Sequence, residues 1–116
     1  MAKLFFRYGA MNSGKTTALI QVAHNYQERG METLLIKPGV DIKGQNMIIS
    51  RLKITRQVDK LVTPDDDLFD FIEQQLAEKD NLKCILIDEA QFLATEQVTQ
   101  LFRVAVILDI PVICYG

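Results

Sequence analysis

The segment that most constrains this chain is glycine-rich and lies near its start, with the sequence Gly9-Ala10-Met11-Asn12-Ser13-Gly14-Lys15-Thr16-Thr17. It matches G-x-x-x-x-G-K-[ST] at every fixed position, which is the pattern of a loop that binds nucleotide phosphates. The two glycines allow backbone angles and a close approach that a Cβ atom would prevent. The N–H groups of such a loop point inward at the phosphates, and the dipole of the following helix adds to the attraction.

Two side chains of this segment have predicted roles. Lys15 would reach the β- and γ-phosphates, and the hydroxyl of Thr16 would coordinate Mg²⁺. The motif requires a strand before the loop and a helix after it. An apolar, aromatic run precedes Gly9 and a helical pattern follows Gly14, so we favour a phosphate site over the alternative of a glycine-rich turn without a ligand.

Length and composition predict one soluble globular domain over residues 1–116, with 48% hydrophobic and 24% charged residues. The net charge of −2 gives no reason to expect nucleic acid or an anionic membrane as a partner. No apolar run approaches the ~18–20 residues that span a bilayer, and no basic start is followed by an apolar core and a cleavage site, so we expect no secretory signal. Cys84 and Cys114 lie in apolar runs without a C-x-x-C pair, so we predict buried, reduced thiols in a cytoplasmic protein and no zinc site.

Strand and helix patterns alternate along the chain, which predicts an α/β fold with a mainly parallel sheet and right-handed crossovers. The predicted strands are Lys3 to Tyr8, Glu32 to Lys37, Asp59 to Val62, Leu82 to Ile87 and Val112 to Tyr115. The predicted helices run from Gly14 to Arg29, from Pro64 (capped by Thr63) to Lys79, and from Glu96 (capped by Thr95) to Leu108. Residues 40–58 have a weak pattern, typical of a mobile loop or an irregular segment beside a site.

Ligand sites of parallel sheets lie at the carboxyl ends of the strands. Gly9, Pro38, Asp88 and Gly116 follow predicted strands, so we expect their loops to converge. Asp88 falls where a phosphate-loop protein places the Asp that binds Mg²⁺, and Glu89 could accept a proton from the group that attacks the γ-phosphate. The alternative is an exposed polar pair that ends a core strand. The attacking group could be water, in a hydrolase, or a bound hydroxyl, in a small-molecule kinase, and the small size favours the kinase.

Four segments together resemble the type II thymidine kinases, the bacterial and cytosolic animal family. They are the loop Gly9 to Thr17, the helix end Asn25 to Met31, Ile87 to Leu93, and Asp109 to Gly116. The resemblance extends over the whole chain. It implies a RecA-like, three-layer P-loop NTPase fold, and transfer of the γ-phosphate of ATP to the 5′-hydroxyl of thymidine or deoxyuridine in dTMP salvage.

The same resemblance implies site residues. Glu89 matches the general base, Asp88 the acid near Mg²⁺, and Asp88, Glu89, Ala90 and Gln91 a segment that binds ATP. Phe92 matches an aromatic residue that packs on thymine and Met11 a residue that borders that pocket, although both could be plain core residues. Asp41, a further candidate for the metal site, aligns with the family loop near the phosphates, as do Lys43 and Ser50-Arg51, but the register there departs from the family pattern.

A second departure concerns the end of the chain. Family members continue into a small domain that binds zinc and a loop that closes over thymidine, so zinc is expected only there. We therefore expect these residues to be the ATP-binding part of a thymidine kinase, with weak or no activity alone. The resemblance also implies a homotetramer. Two other hypotheses remain open: the core of a P-loop ATPase, and a nucleotide-binding module without catalysis.

Overall fold

The computed structural model describes residues 2–7, 15–39, 47–49 and 55–116. The strands are β1 (Leu4–Arg7), β2 (Glu32–Pro38), β3 (Met47–Ile49), β4 (Thr55–Gln57), β5 (Lys60–Val62), β6 (Leu82–Ile87) and β7 (Val112–Tyr115). The helices are α1 (Lys15–Glu28), α2 (Leu68–Glu78) and α3 (Thr95–Ile107), with a 3-10 turn at Ala90–Phe92. Five strands form one sheet in the order β1-β7-β6-β2-β5.

Every described pairing in the five-stranded sheet is parallel. The central strands β2 and β6 each contain an unbroken apolar run, Leu34 to Ile36 and Cys84 to Ile87, because both faces of the sheet are covered there. One face packs Leu34, Ile36, Ile85 and Ile87 with residues of α2 and α3. The other packs Leu35, Cys84 and Leu86 with residues of α1. The α/β fold, the parallel sheet and the three layers are thereby confirmed.

Helix α2 begins four residues later than predicted. Its N-cap is Asp67, whose side chain accepts a hydrogen bond from the backbone N–H of Asp70. The predicted cap, Thr63, instead begins a turn, because its N–H donates to Asp66 Oδ2 and its carbonyl accepts from the N–H of Asp66. The predicted start at Pro64 was therefore wrong: local bonds between polar side chains and the backbone compete with helix at this point.

Helix α3 is capped by Ala94, whereas Thr95, the predicted cap, is the first helical residue. Alanine has no side-chain acceptor for the first turn, but Gln97 Oε1 accepts from the N–H of Ala94 at 3.0 Å. This is the half of a capping box in which the third helical residue reaches back to the N-cap. The sequence pattern favoured Thr95 because threonine is the commoner cap.

Gln97 also joins helix α3 to the turn that precedes α2. It is 2% exposed, and its Nε2 donates to the carbonyls of Thr63 and Asp66 at 2.7 and 3.1 Å. Replacement by leucine leaves these carbonyls and the Ala94 N–H without this partner, so we expect a loss of about 3 kcal/mol in the free energy of unfolding. Urea denaturation would measure it. The control is Gln100→Leu, which removes a single described bond, to the N–H of Leu68, and should cost less; equal losses would contradict the account.

Both cysteines are free and fully buried, as predicted. Burial raises the pKa of Cys84 from 9.0 to about 11 and that of Cys114 to about 12. The folded chain therefore keeps these protons at a pH at which the unfolded chain has lost them. The contribution of the two protonated thiols to stability is fully present below pH 9. It should be lost as the pH rises from about 9 towards 11 for Cys84 and 12 for Cys114.

We expect each thiol to lower the free energy of unfolding by about 1.4 kcal/mol for each pH unit between its unfolded and folded pKa values. Urea denaturation at pH 8 and pH 10.5 would measure the loss. The comparison is a Cys84→Ala/Cys114→Ala variant, in which the loss should be smaller because the other ionising groups are unchanged. An unchanged pH dependence would show that the thiols are not the cause.

Within residues 40–58, the structure describes β3, β4 and Val58. The two strands form a separate antiparallel pair, with Met47 opposite Gln57 and Ile49 opposite Thr55. The sequence pattern did not predict this pair. Strand β5 was predicted from Asp59 and begins at Lys60. The Asp59 carboxylate accepts from the N–H of Leu35 at 2.7 Å, which fixes the approach of this edge strand to β2.

Candidate active site

The carboxyl ends of the four strands β1, β7, β6 and β2 lie side by side at one edge of the sheet. Arg7 is opposite Tyr115, Ile87 is opposite Cys114, and Ile36 is opposite Ile87. The backbone bonds continue past the strands, since the N–H of Asp88 donates to the carbonyl of Ile36 and that of Gly116 to the carbonyl of Arg7. As predicted, the strands that lead into the loops after β1, β7, β6 and β2 end at the same edge of the sheet. Gly9 itself lies outside the described residues.

The setting predicted for the glycine-rich loop is confirmed on both sides. Strand β1 ends at Arg7, and helix α1 begins at Lys15 and has no acidic residue in its first turn. The N-terminus of a helix carries a partial positive charge, and without an acidic side chain in the first turn it favours binding of an anion. Gly9, Ala10, Met11, Asn12, Ser13 and Gly14 lie outside the described residues, as do the side chains of Lys15 and Thr16, so the predicted phosphate contacts stay predictions.

Asp88 is the first residue after β6 and is 7% exposed. Its Oδ1 accepts from the backbone N–H of Glu89 at 3.0 Å. One of the two carboxylate oxygens is thus held by the turn itself. A buried carboxylate oxygen is a ligand that Mg²⁺ prefers, so Asp88 fits the metal role. Among the described residues no group of three or more His, Cys, Asp or Glu side chains could hold a metal by itself.

Glu89 has a backbone conformation that glutamate rarely adopts, with φ 54° and ψ 42°. This left-handed geometry costs a non-glycine residue about 1–2 kcal/mol. It turns the chain abruptly from β6 into the 3-10 turn and leaves the Glu89 side chain partly exposed. Strain of this kind persists where the surroundings fix it and is concentrated at functional sites.

Gln91 positions the Glu89 carboxylate. Its Nε2 donates to Glu89 Oε2 at 2.6 Å. The other carboxylate oxygen is the one that could accept a proton from a substrate hydroxyl. Ala90, between the two, is 4% exposed and belongs to the core. The segment of four residues, Asp88 to Gln91, thus places two carboxylates and an amide at the same strand end.

Phe92 lies at the end of this turn with 51% of its side chain exposed. The alternative interpretation, a plain core residue, does not apply to it. An exposed aromatic face beside the two carboxylates can stack on a planar ring. Met11, Asp41, Lys43 and Arg51 lie outside the described residues, so their predicted roles stay predictions.

One residue at this edge had no predicted role. Lys37, the last but one residue of strand β2, is 4% exposed. A lysine is almost never fully buried without a partner, and Lys37 makes an interaction in the structure. The sequence offered one signal for this residue, a charge directly after the apolar run Leu34-Leu35-Ile36. Such a charge is usually interpreted as the solvent-exposed end of a strand.

A parallel sheet with helices on both faces, with the G-x-x-x-x-G-K-[ST] motif between β1 and α1, is consistent with a P-loop NTPase-like α/β protein. The sequence profile described as "Thymidine kinase" matches residues 2–116. The chain belongs to the thymidine kinase family. In the described part of the chain, no helix is long and apolar enough to cross a membrane.

Individual relatives match over the full length of this chain. It is 48% identical to a thymidine kinase of Ruegeria pomeroyi, 49% to one of Mannheimia succiniciproducens, and 44% to one of Enterobacteria phage T4. In each case the alignment covers 100% of this chain but only 58%, 59% and 60% of the relative, respectively. The chain therefore spans somewhat more than half the length of these curated relatives.

Proposed function

We propose that this chain is the ATP-binding part of a thymidine kinase, which transfers the γ-phosphate of ATP to the 5′-hydroxyl of thymidine or deoxyuridine. The observation that carries the proposal is the turn after β6. It presents a buried carboxylate, Asp88, and a partly exposed one, Glu89, at the carboxyl edge of the sheet, the same edge at which β1 ends before the glycine-rich loop. Family membership supplies the class of reaction, since the relatives are named thymidine kinases.

The proposed roles follow from chemistry and position. Glu89 accepts the proton of the 5′-hydroxyl as that oxygen attacks phosphorus, and Gln91 keeps the carboxylate oriented. Phe92 stacks on the base, and Met11 borders the same pocket. The backbone of Gly9 to Thr17, with the segment Asp88 to Gln91, binds ATP, and Lys15 reaches its terminal phosphates.

Asp88 and Thr16 would hold Mg²⁺, with Asp41 as a further candidate. When bound, this ion neutralises charge that develops on the β- and γ-phosphates. Zinc has no site in the proposal for residues 1–116. We further propose a single nucleotide-binding domain over these residues, a cytoplasmic location and a homotetrameric enzyme, with thymidine and ATP rather than nucleic acid or membrane as partners.

The test measures ATP binding and product together. We expect the chain to bind Mg-ATP weakly, Lys15→Ala to lose binding, and Glu89→Gln to retain it. With radiolabelled ATP and thymidine, we expect little or no thymidine 5′-phosphate, because closure over the nucleoside orients it and excludes water. Joining the remaining segment of the Ruegeria pomeroyi relative after Gly116 should raise product formation strongly.

Other outcomes discriminate between functions. Phosphate release that thymidine does not alter, without a nucleoside product, would indicate an ATPase core. Binding of ATP without transfer to any acceptor, even in the joined protein, would indicate a non-catalytic module. Turnover by the 116 residues at the rate of an ordinary kinase would contradict the expected weakness of the chain alone. No ATP binding by the chain or by the joined protein would refute the proposal.

A further inference from the structure

Gln97 is a buried polar residue that follows Phe92, the exposed aromatic residue of the candidate site, by five positions. Its side chain is 2% exposed, and both ends of its amide are used. The oxygen Oε1 accepts from the N–H of Ala94 at 3.0 Å, and Nε2 donates to the carbonyls of Thr63 and Asp66 at 2.7 and 3.1 Å. A glutamine amide has two donor protons and one carbonyl oxygen. Gln97 therefore connects backbone groups of two segments that are distant in sequence.

The two segments that Gln97 connects lie at the same edge of the sheet. Strand β5 is parallel to β2, with Val62 opposite Pro38, so residues 63–66 follow β5 at the carboxyl edge. Residues 88–92 leave the same edge from β6, which is parallel to β2 on its other side. Gln97 thus bridges the turn after β6, which carries the candidate site, to the turn after β5.

The bonds inside the 3-10 turn hold its shape, so the position of Phe92 over the sheet depends on the anchors of the turn. The N–H groups of Phe92 and Leu93 donate to carbonyls of the same segment. Ala90, at the beginning of the turn, is buried in the core, and Leu93 packs against that core. Beyond the turn, the N–H of Ala94 donates to Gln97, which leads to the turn after β5. The exposed ring is therefore carried by a short segment that the core holds at its start and Gln97 holds at its end.

We propose that Gln97 is a positioning residue of the candidate site: by tying the beginning of α3 to the turn after β5, it fixes Phe92 where the ring stacks on the base of the substrate. Gln97 touches neither the substrate nor the reacting atoms and acts through Phe92. Stacking by Phe92 rests on the proposed function, but the fixed position of its backbone does not, so the two can fail separately.

The simpler role for Gln97 is that of a helix cap alone, and the variant Ala94→Ser separates the two. Ala94 has the extended backbone of an N-cap, with φ −69° and ψ 155°, but no side-chain acceptor for the first turn. A serine hydroxyl supplies that acceptor. It cannot replace the bonds to the carbonyls of Thr63 and Asp66. In Ala94→Ser/Gln97→Met, the helix start is therefore capped again and the bridge is still absent.

Nuclear magnetic resonance relaxation of the 116-residue chain measures the order of each backbone N–H group. We expect an order parameter of about 0.85 at Phe92 in the parent, and a fall to below about 0.6 in Gln97→Met, which has a similar length and no amide. The N–H of Phe102, whose side chain is similarly exposed but lies within α3, should keep its value. Ala94→Ser/Gln97→Met should recover part of the melting temperature lost in Gln97→Met, but not the order at Phe92.

Gln100→Met is the matched control on the same helix. It removes one described bond, from the N–H of Leu68 in α2, which is not part of the bridge, so Phe92 should keep its order. If Gln97→Met does not fold, Gln97→Asn takes its place, because its amide is one methylene shorter and cannot reach Ala94 and both carbonyls together. The order at Phe92 should then fall by a smaller amount.

The effect on the substrate is measured in the joined protein. Gln97→Met should raise KM for thymidine by about tenfold, because a mobile Phe92 loses its fixed contact with the base, and KM for ATP should not change. The value of kcat should fall by a smaller factor, since Glu89 precedes the buried Ala90 at the anchored start of the turn. Gln100→Met should leave all three constants unchanged.

Loss of order around Phe92, together with a raised KM for thymidine, supports the proposal. Unchanged order at Phe92, an equal loss at Phe102, or an unchanged KM for thymidine in an active joined protein would overturn it. Recovery of order in Ala94→Ser/Gln97→Met would overturn it as well, because a helix cap would then suffice. Loss of order at Phe92 in a joined protein that transfers no phosphate to thymidine would count against the proposed function alone.

Discussion

Glu89→Gln should reduce transfer to thymidine by about 10²- to 10⁴-fold in the joined protein, because glutamine cannot accept the proton of the attacking hydroxyl. The amide has nearly the same shape, so the turn after β6 should persist and ATP binding should be retained. Initial rates with saturating ATP and thymidine would measure the effect on kcat. Undiminished transfer would remove Glu89 from the role of general base.

The left-handed backbone of Glu89 allows a second, independent test, which measures stability as well as transfer. Glu89→Gly should remove the carboxylate and also the strain, so the free energy of unfolding should rise by up to about 1 kcal/mol while transfer is lost. The matched control is Asp109, which also has a positive φ, of 56°, but lies at the opposite edge of the sheet, just before β7. Asp109→Gly should leave transfer unchanged, and its gain in stability should be smaller because aspartate tolerates this conformation better. Equal loss of transfer in both would indicate a general effect of flexibility.

Leu86→Ala should destabilise the chain by about 3–4 kcal/mol, a large part of the ~5–15 kcal/mol that stabilises an ordinary domain. Leu86 is fully buried in the central strand β6, between helix α1 and two neighbouring strands. The smaller side chain leaves a cavity that rigid neighbours cannot fill. Thermal denaturation would show a fall of about 10 °C or more.

Phe102→Ala is the control for this prediction. Phe102 lies on helix α3 with 56% of its side chain exposed, so the same kind of truncation removes little buried surface. We expect a change within about 1 kcal/mol. If Phe102→Ala cost as much as Leu86→Ala, the sheet core would not be the main source of stability, and Phe102 would contribute contacts that its exposure does not indicate.

Most of the sheet could be predicted because its strands are short apolar runs between turn residues. Leu82 to Ile87 and Val112 to Tyr115 were predicted with the bounds that the structure has. The helix starts were less predictable. At Thr63, a threonine, a proline and acids all favour a helix start, but the Gln97 amide and local bonds hold these residues in a turn. That outcome depends on a contact between distant parts of the chain.

The candidate site, like the helix starts, has one part that the sequence pattern predicts and another that depends on the rest of the fold. The position of Asp88 and Glu89 follows from an apolar strand that ends in two acids. The left-handed backbone of Glu89 could not be predicted from the sequence, because nothing in the glutamate side chain favours it. Only the surrounding fold can impose this conformation. The burial of Lys37 was likewise hidden, because a lysine at a strand end is usually in solvent. Its location depends on strands β5 and β6, which flank β2 from later in the chain.

The position of β7 has a consequence for the order in which the chain can fold during synthesis. Strand β1 is the earliest strand of the described sheet to be translated, yet it pairs with β7, the latest of the seven described strands. Its exposed Phe5 and Phe6 therefore gain their parallel neighbour only after residues 112–115 have been translated. Contacts between such distant residues are slow to form, and an unpaired apolar strand is open to association in the meantime. The glycine-rich segment that follows β1 is thus preceded by a paired strand only after β7 has been translated.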